Sequence, residues 1–344
     1  MASKYDNILN KIEERPPRGE NDHLLIIDSM NTLIRSFSML KTMTPQGHHI
    51  GGLVGFLRSL GYLVRTFDPT KVICVFDGLG GSMNRKNINP EYKAQREHTK
   101  ITNWGLYDTK KEESESITAQ LNRLIDYLEC LPVHMIMMDK LEADDIISVI
   151  AINASRYGKK STIVSSDKDF LQIIDPNIEV YAPVKKKVFT RDNIEAELKM
   201  PPSNYLIAKA LLGDNSDNLS GVKGLGIKTL LKEFPLIRER PGMTLEYIYD
   251  VCEQNIEGKK IFAKIIYDWD KVKTNYELMN IQESTLDDRE LDIILDVLKE
   301  PAPRLQTGTF LHYLDNDKIE GITKNTEAWL ETFRGLTGFR AREL

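Results

Sequence analysis

The chain has 344 residues, enough for about two domains, and its 41% hydrophobic against 28% charged residues is the balance of a chain that buries a sizeable core, which excludes disorder and fibrous folds. Its 46 Lys and Arg against 51 Asp and Glu leave a net charge of −5, which argues against indiscriminate nucleic-acid binding over the whole surface but leaves local basic patches and acidic metal sites open. No run approaches the roughly 20 apolar residues of a membrane helix, and the polar N-terminal arm, residues 1–22, lacks the apolar centre of a signal peptide, so a cytoplasmic protein without a membrane partner is expected.

Leu24 to Asp28 is a short apolar run that ends on a carboxylate, and it predicts a buried strand. The same form returns at Lys71 to Gly78 and at Ser161 to Asp167, with further apolar runs at Val133 to Met138 and Ile178 to Tyr181. Segments of helical spacing lie between them, at Gly52 to Phe67, Ser116 to Leu131 and Glu142 to Arg156. Strands alternating with helices predict an α/β domain over residues 23–200, with a mostly parallel central sheet flanked by helices. Ligands of such sheets bind beyond the carboxyl ends of the strands, where Asp28, Asp77 and Asp167 fall. The stretch 79–115 interrupts the pattern: it is polar, rich in Arg, Lys and Asn, and carries Tyr92, Trp104 and Tyr107. A connection this long inside a compact domain is functional or mobile. From Pro201 the pattern turns helical, at Asn204 to Leu212, Lys228 to Phe234 and Thr244 to Gln254, which predicts a helical domain over 201–300 and leaves 301–344 as a C-terminal extension. Cys74, Cys130 and Cys252 are spaced too widely for a metal pair and are expected to be buried, reduced thiols.

Acidic residues at five places carry the chemistry: Asp28, Asp77, the group Glu142, Asp144 and Asp145, the pair Asp167 and Asp169, and the pair Asp214 and Asp217. Singly, each could be a turn or first-turn acid, and Glu142 and Asp145 share one helix face. Together, aimed at one sheet edge, they would repel unless cations sat among them, and an all-oxygen site suits magnesium or manganese. Two such ions would clamp the attacking and leaving oxygens of a phosphodiester. Downstream, Gly221, Gly224 and Gly226 form a tight hairpin opening the helix after Ile227, able to present backbone N–H groups to a phosphate, with Lys223 and Lys228 adding charge. In the interrupting stretch Arg85, Lys86, Lys93, Arg96 and Lys100 outnumber Glu91 and Glu97, and Tyr92 beside Lys93 suits base stacking.

These motifs resemble the structure-specific 5′-nucleases, the flap endonucleases and 5′-3′ exonucleases. The elements that carry the likeness are Ile27-Asp28, Val75-Phe76-Asp77, Glu142-Ala143-Asp144-Asp145, Ser165-Ser166-Asp167-Lys168-Asp169, Gly213-Asp214 through Asn218, and the hairpin Gly221-Val222-Lys223-Gly224-Leu225-Gly226. Pro90-Glu91-Tyr92-Lys93, Thr102-Asn103-Trp104 and Asn275-Tyr276-Glu277-Leu278 place the chain nearest the ribonuclease H branch found in T-even bacteriophages, although the intact hairpin departs from that branch. The resemblance implies a PIN-like core, a helical arch and a helix-three-turn-helix. It implies Asp28, Asp77, Glu142, Asp144, Asp145 and Asp167 around a first Mg2+, and Asp169, Asp214 and Asp217 around a second. It also implies Arg85, Lys86, Tyr92, Lys93 and Arg96 on the arch, with Lys93 and Arg96 assisting catalysis, and a K+ ion at the hairpin. The implied substrates are branched or nicked duplex DNA with a free 5′ end and RNA-DNA primer duplexes, handled by a monomer. A non-catalytic nucleic-acid-binding protein on the same fold is the alternative, and a magnesium phosphatase acting on small phosphoesters would explain the acids but not the arch or hairpin.

Two further groups draw the eye. His48 and His49 follow Pro45-Gln46-Gly47 without a partner at ligand spacing and are expected on the polar surface. Phe310, Trp329, Phe333 and Phe339 in the tail could dock on a replication clamp or a single-strand-binding protein, although packing of a C-terminal helix on the body is the simpler expectation.

Overall fold

The computed structural model describes residues 22–95, 102–103, 105–283, 286–320 and 322–336. Arg96, Lys100, Trp104, Phe339 and nearly all of the N-terminal arm lie outside the described residues.

A six-stranded sheet forms the centre, its strands side by side in the order His134–Met138, Lys71–Asp77, His23–Asp28, Lys160–Val164, Ile178–Ala182 and Lys187–Phe189. Strands β1 (His23–Asp28), β2 (Lys71–Asp77), β3 (His134–Met138), β4 (Lys160–Val164) and β5 (Ile178–Ala182) are parallel, and the short edge strand β6 (Lys187–Phe189) is antiparallel to β5. β1 is central because it is apolar on both faces: Leu25 and Ile27 enter one core and Leu24 and Ile26 the other, as the period of two requires. Its register, Ile27 beside Cys74 and Val164, brings the carboxyl ends of β1, β2 and β4 to one edge.

The helices cover both faces. Helix α1 (Ser29–Met39) follows β1 without a break, capped by Asp28, whose carboxylate accepts from the N–H of Asn31. It packs on α2 (Gly51–Phe67), and a Cβ at Gly55 would come within 2.7 Å of that of Ser36, so glycine sets the close approach. Next come α3 (Met83–Ile88), α4 (Lys110–Glu129), α5 (Ala143–Arg156), α6 (Arg191–Leu198) and α7 (Tyr205–Leu212). The paired two-residue strands β7 (Gly213–Asp214) and β8 (Leu219–Ser220) lead through the glycine hairpin into α8 (Ile227–Glu233). Helices α9 (Pro235–Glu239), α10 (Leu245–Gln254), α11 (Lys260–Tyr267) and α12 (Trp269–Met279) share with α7 and α8 a third apolar cluster. Finally α13 (Asp288–Lys299), α14 (Thr307–Asn316) and α15 (Thr326–Glu331) return to the α/β body.

Several expectations change. Helix α4 starts at Lys110 rather than Ser116, because the Thr109 hydroxyl caps it and Glu112 and Glu113 occupy its first turn. α13 buries Ile294 and Leu298 against one face of the sheet rather than in the helical region drawn over 201–300. Phe310, Trp329 and Phe333 are buried in the core on the other face, so they are not surface anchors for a clamp or a single-strand-binding protein. Trp329 sits on Gly61, where a Cβ would meet its Nε1. His49 is not surface: it is 8% exposed and its ring bonds Tyr107 Oη at 2.8 Å and the Leu40 carbonyl at 2.6 Å, while Phe37 stacks on Tyr107. All three cysteines are buried and free, and among the described residues no helix is long and apolar enough to cross a membrane.

Candidate metal and nucleic-acid site

Asp28 closes β1, Asp77 closes β2, Asp167 follows β4, and Glu142, Asp144 and Asp145 open α5 just after β3. Asp28, Asp77, Glu142, Asp144 and Asp167 line one cleft of about 560 Å3 at the carboxyl edge of the sheet, together with Asn31, Arg35, Lys93 and Ser166. An adjoining cleft of about 600 Å3 is lined by Ser165, Ser166, Asp167, Lys209 and Asp214, so Asp167 stands where the two meet. Asp145 and Asp169 turn instead toward basic side chains, and Asp217 is buried on the turn after β7.

Charge balance divides these acids into two flanks and a middle. On one flank the Arg85 guanidinium is buried among Glu142, Asp144 at 3.1 Å and Asp145 at 2.7 Å, its Nε donates to the Leu278 carbonyl, and Lys93 Nζ meets the other oxygen of Glu142. Burial would raise Asp144, but Arg85 and Lys93 outweigh it and hold its carboxyl below the ordinary value. Asp145, buried beside Asp144, is pushed up to about 7. On the other flank Lys209 Nζ lies between Asp169 and Asp214, the latter at 2.8 Å. Against the effect of burial, that ammonium and the Ser216 hydroxyl draw Asp214 down to about 2, while burial beside Asp167 pushes Asp169 up to about 7.

The middle acids Asp28, Asp77 and Asp167 have no ion-pair partner among the described residues. They are held by dipoles instead. Asp28 accepts from Ser165 Oγ at 2.8 Å and from Asn31 N, Asp77 accepts from the N–H of Ala143 at the start of α5 at 2.9 Å, and Asp167 accepts from the N–H of Asp169 at 2.9 Å. Burial, reinforced by Asp77 and Asp167, pushes Asp28 up to about 7, and burial raises Asp77 as well. Among the described residues no three of the acids converge closely enough to ligate one ion as they stand. The donors are nonetheless all carboxylate oxygens, and the unpaired middle acids would lose their mutual repulsion to a cation, so the residues fit a hard divalent ion.

Two arch expectations are corrected. Tyr92 is 1% exposed, packed with Leu206, Leu219, Leu278 and Met279 while its hydroxyl donates to Glu142, so it is not a free stacking platform. Arg85 is 8% exposed and held by three acids, so it faces the carboxylates rather than an open surface. Lys86 is half-buried on α3, and Lys93 alone of the described arch cations lines the acid cleft. Sequence reasoning missed Lys209 and Arg35. The available signal for Lys209 was a lone charge inside the apolar run Leu206 to Leu212, five residues before Asp214. Arg35 lies seven residues past Asp28, half-buried and close enough to feel its charge.

The hairpin lies on the helical side and adjoins the second cleft, whose lining includes Leu212, Gly213 and Ile227. A Cβ at Gly221 would fall 2.2 Å from the Leu212 carbonyl, Gly224 adopts φ +87°, and Gly226 precedes α8 with open space around it. Asn275 ties the base of the hairpin to α7 by donating to the carbonyls of Ala210 and Ser220, both at 3.0 Å. Lys223 and Lys228 are exposed, and Lys264 Nζ donates to the Lys223 carbonyl at 3.2 Å.

Residues 23–199 match the family described as 5′-3′ exonuclease, N-terminal resolvase-like domain. The chain is 32% identical over 253 residues to a 5′-3′ exonuclease of Bacillus subtilis, covering 71% of this chain and 76% of that one. It is 30% identical over 235 residues to DNA polymerase I of Rhizobium leguminosarum, covering 65% of this chain but spanning only 22% of the polymerase. Its fold is similar to that of the bacteriophage T5 flap endonuclease solved with DNA and metal ions (TM-score 0.63, 16% identity, 91% of this chain and 99% of that one). It is also similar to human GEN1 in complex with Holliday junction DNA (TM-score 0.58, 14% identity, 95% and 75% covered).

Proposed function

Because the chain belongs to the 5′-3′ exonuclease family, we propose that it is a metal-dependent phosphodiesterase that removes nucleotides or short flaps from the 5′ ends of DNA, and of RNA primers annealed to DNA, during replication. The observation that carries this is the cleft at the carboxyl edge of the sheet, where five carboxylates and one lysine, Lys93, paired with Glu142, line the same space. Asp28, Asp77, Glu142, Asp144, Asp145 and Asp167 would hold one Mg2+, or Mn2+ in its place, and Asp169, Asp214 and Asp217 a second, with Asp167 between them. When bound, the ions supply an activated water and neutralise charge on the phosphate and the leaving oxygen.

The chain's own residues do the rest. Ser165 and Asn31 orient Asp28, and the start of α5 orients Asp77, so both carboxylates point into the cleft without adjustment during the reaction. Lys93, which lines the same cleft beside Glu142, would meet the phosphate, with Arg96 expected to assist it. The hairpin, with Lys223 and Lys228 and a K+ ion that it would hold, would grip duplex backbone behind the cleft. No covalent intermediate is required.

The test is gel analysis of a 5′-labelled flap, a nicked duplex and an RNA-primed duplex in Mg2+ and in EDTA. Cleavage from free 5′ ends only in the presence of the metal is expected. Degradation mainly from 3′ ends, substantial cutting in EDTA, or equal cutting of a closed circular single strand would overturn the assignment.

A further inference from the structure

The short turn that carries the second group of acids touches the arch at one place. After Asp214 and Asp217 the chain turns at Asn218, which takes the left-handed conformation at φ 60° and ψ 31°. Its side-chain amide reaches across to the other segment and uses both ends: Nδ2 donates to the Glu91 carbonyl at 2.8 Å, and Oδ1 accepts from Gln95 Nε2 at 2.8 Å. Between these contacts the N–H of Lys93 donates to the Asp217 carbonyl at 2.9 Å. Lys93 is itself left-handed, at φ 55°, a conformation that a non-glycine residue keeps only when its surroundings impose it. Tyr92 anchors the same turn from beneath, inside the small cluster with Leu206, Leu219, Leu278 and Met279.

We propose that Asn218 is a positioning residue: by clamping Glu91 and Gln95 it holds the Tyr92-Lys93 turn in the bent form that aims the Lys93 side chain into the acid cleft. The proposal rests on the nuclease reading above and deepens it, because it ties the turn bearing Asp214 and Asp217 to the cation serving the opposite flank. Asparagine suits the place on two counts. It tolerates the left-handed region better than most residues, and its amide supplies one donor and one acceptor at the required reach. Aspartate would lose the donor to Glu91, alanine would lose both bonds and strain the backbone, and glycine would keep the backbone while losing only the amide.

Asn218→Gly therefore separates the clamp from the turn. Under single turnover at saturating flap DNA with Mg2+, its cleavage rate should fall roughly ten- to thirtyfold, the equivalent of one to two neutral hydrogen bonds, while DNA affinity stays within about twofold. Gln95→Ala should have a smaller effect, and the double variant should be no slower than Asn218→Gly, since both changes break one clamp. Hydrogen exchange at the Lys93 amide gives a readout that needs no activity: its protection should drop in Asn218→Gly while the melting temperature stays near that of the wild type. Unchanged protection at Lys93, or a wild-type rate in Asn218→Gly, would overturn the proposal. If the wild-type chain itself fails to cut any substrate, the nuclease reading fails, and the exchange experiment still decides whether Asn218 holds Lys93.

Discussion

The flanks of the acid edge and its middle solve the same electrostatic problem differently. Glu142, Asp144 and Asp145 share Arg85 and Lys93, and Asp169 and Asp214 share Lys209, so each flank carries its own countercharge. Among the described residues, Asp28, Asp77 and Asp167 are hydrogen-bonded by backbone N–H groups and a serine hydroxyl and have no ion-pair partner. Each flank has a cation folded into it, whereas Asp28 and Asp77, both raised by burial, favour their ionised form only as something positive arrives. A chain built this way has its greatest appetite for a divalent ion where its own cations are fewest.

The sharpest way to break that contrast is to neutralise the middle. Asp77→Asn or Asp167→Asn should lower the single-turnover rate more than about a hundredfold and leave DNA binding in place, because a lost metal ligand removes transition-state rather than ground-state stabilisation. Retained cleavage in either variant, measured alongside equilibrium binding, would mean that the middle acids are not the reactive ones.

Removing a flank cation tests the other half. Lys209 is buried between two carboxylates, so Lys209→Met should cost about 3 kcal/mol in urea unfolding without divalent ions, with part of the loss recovered in Mg2+. A variant as stable as the wild type in EDTA would show that Lys209 is not the flank's countercharge.

A third measurement follows protons. Asp28 has its carboxyl pushed up to about 7 by burial, against 3.8 in the unfolded chain. The folded protein therefore holds a proton the unfolded chain releases, and this group's contribution makes stability fall as pH rises from about 4 to about 7, by at most about 1.4 kcal/mol per pH unit, and level off above that. Denaturant titrations across that window should show a shallower decline in Asp28→Asn. If the slope is the same in both, Asp28 is not the group that carries it.

The smallest effect concerns the hairpin, which lies outside the acid edge altogether. Replacing both Lys223 and Lys228 with Ala should flatten the dependence of log affinity on log salt by roughly one to two units while turnover at saturating substrate changes little. A drop in saturated turnover would place these lysines at the scissile phosphate and erase the distinction between gripping and cutting.

What could be read from residues alone follows from range. Strands β1, β2 and β4 announced themselves because an apolar run closed by a carboxylate is a local pattern, and the glycine hairpin is another. Helix α1 did not, since Asp28 serves at once as strand end and helix cap, and its buried side chains Leu33 and Phe37 are diluted by Ser, Thr, Asn and Arg. The roles of Tyr92 and Arg85 were misjudged because a basic, aromatic stretch reads as a nucleic-acid face unless one knows which distant acids it meets, here Glu142 some 57 residues past Arg85. Lys209 escaped for the same reason: its two carboxylates converge on it only in three dimensions.

The seat of Trp329 on Gly61 has a consequence for how the chain can be made. The core beside α2 is closed by aromatic residues that leave the ribosome some 270 positions after the glycine that receives them. Until then the cluster that holds Leu57, Leu60 and Val64 lacks its aromatic members, and long-range closure of this kind slows folding. A fragment ended at residue 200 or 300, however sensible as a nuclease domain on paper, would lack those members permanently and should collect in the insoluble fraction unless a peptide spanning α14 and α15 is supplied in trans.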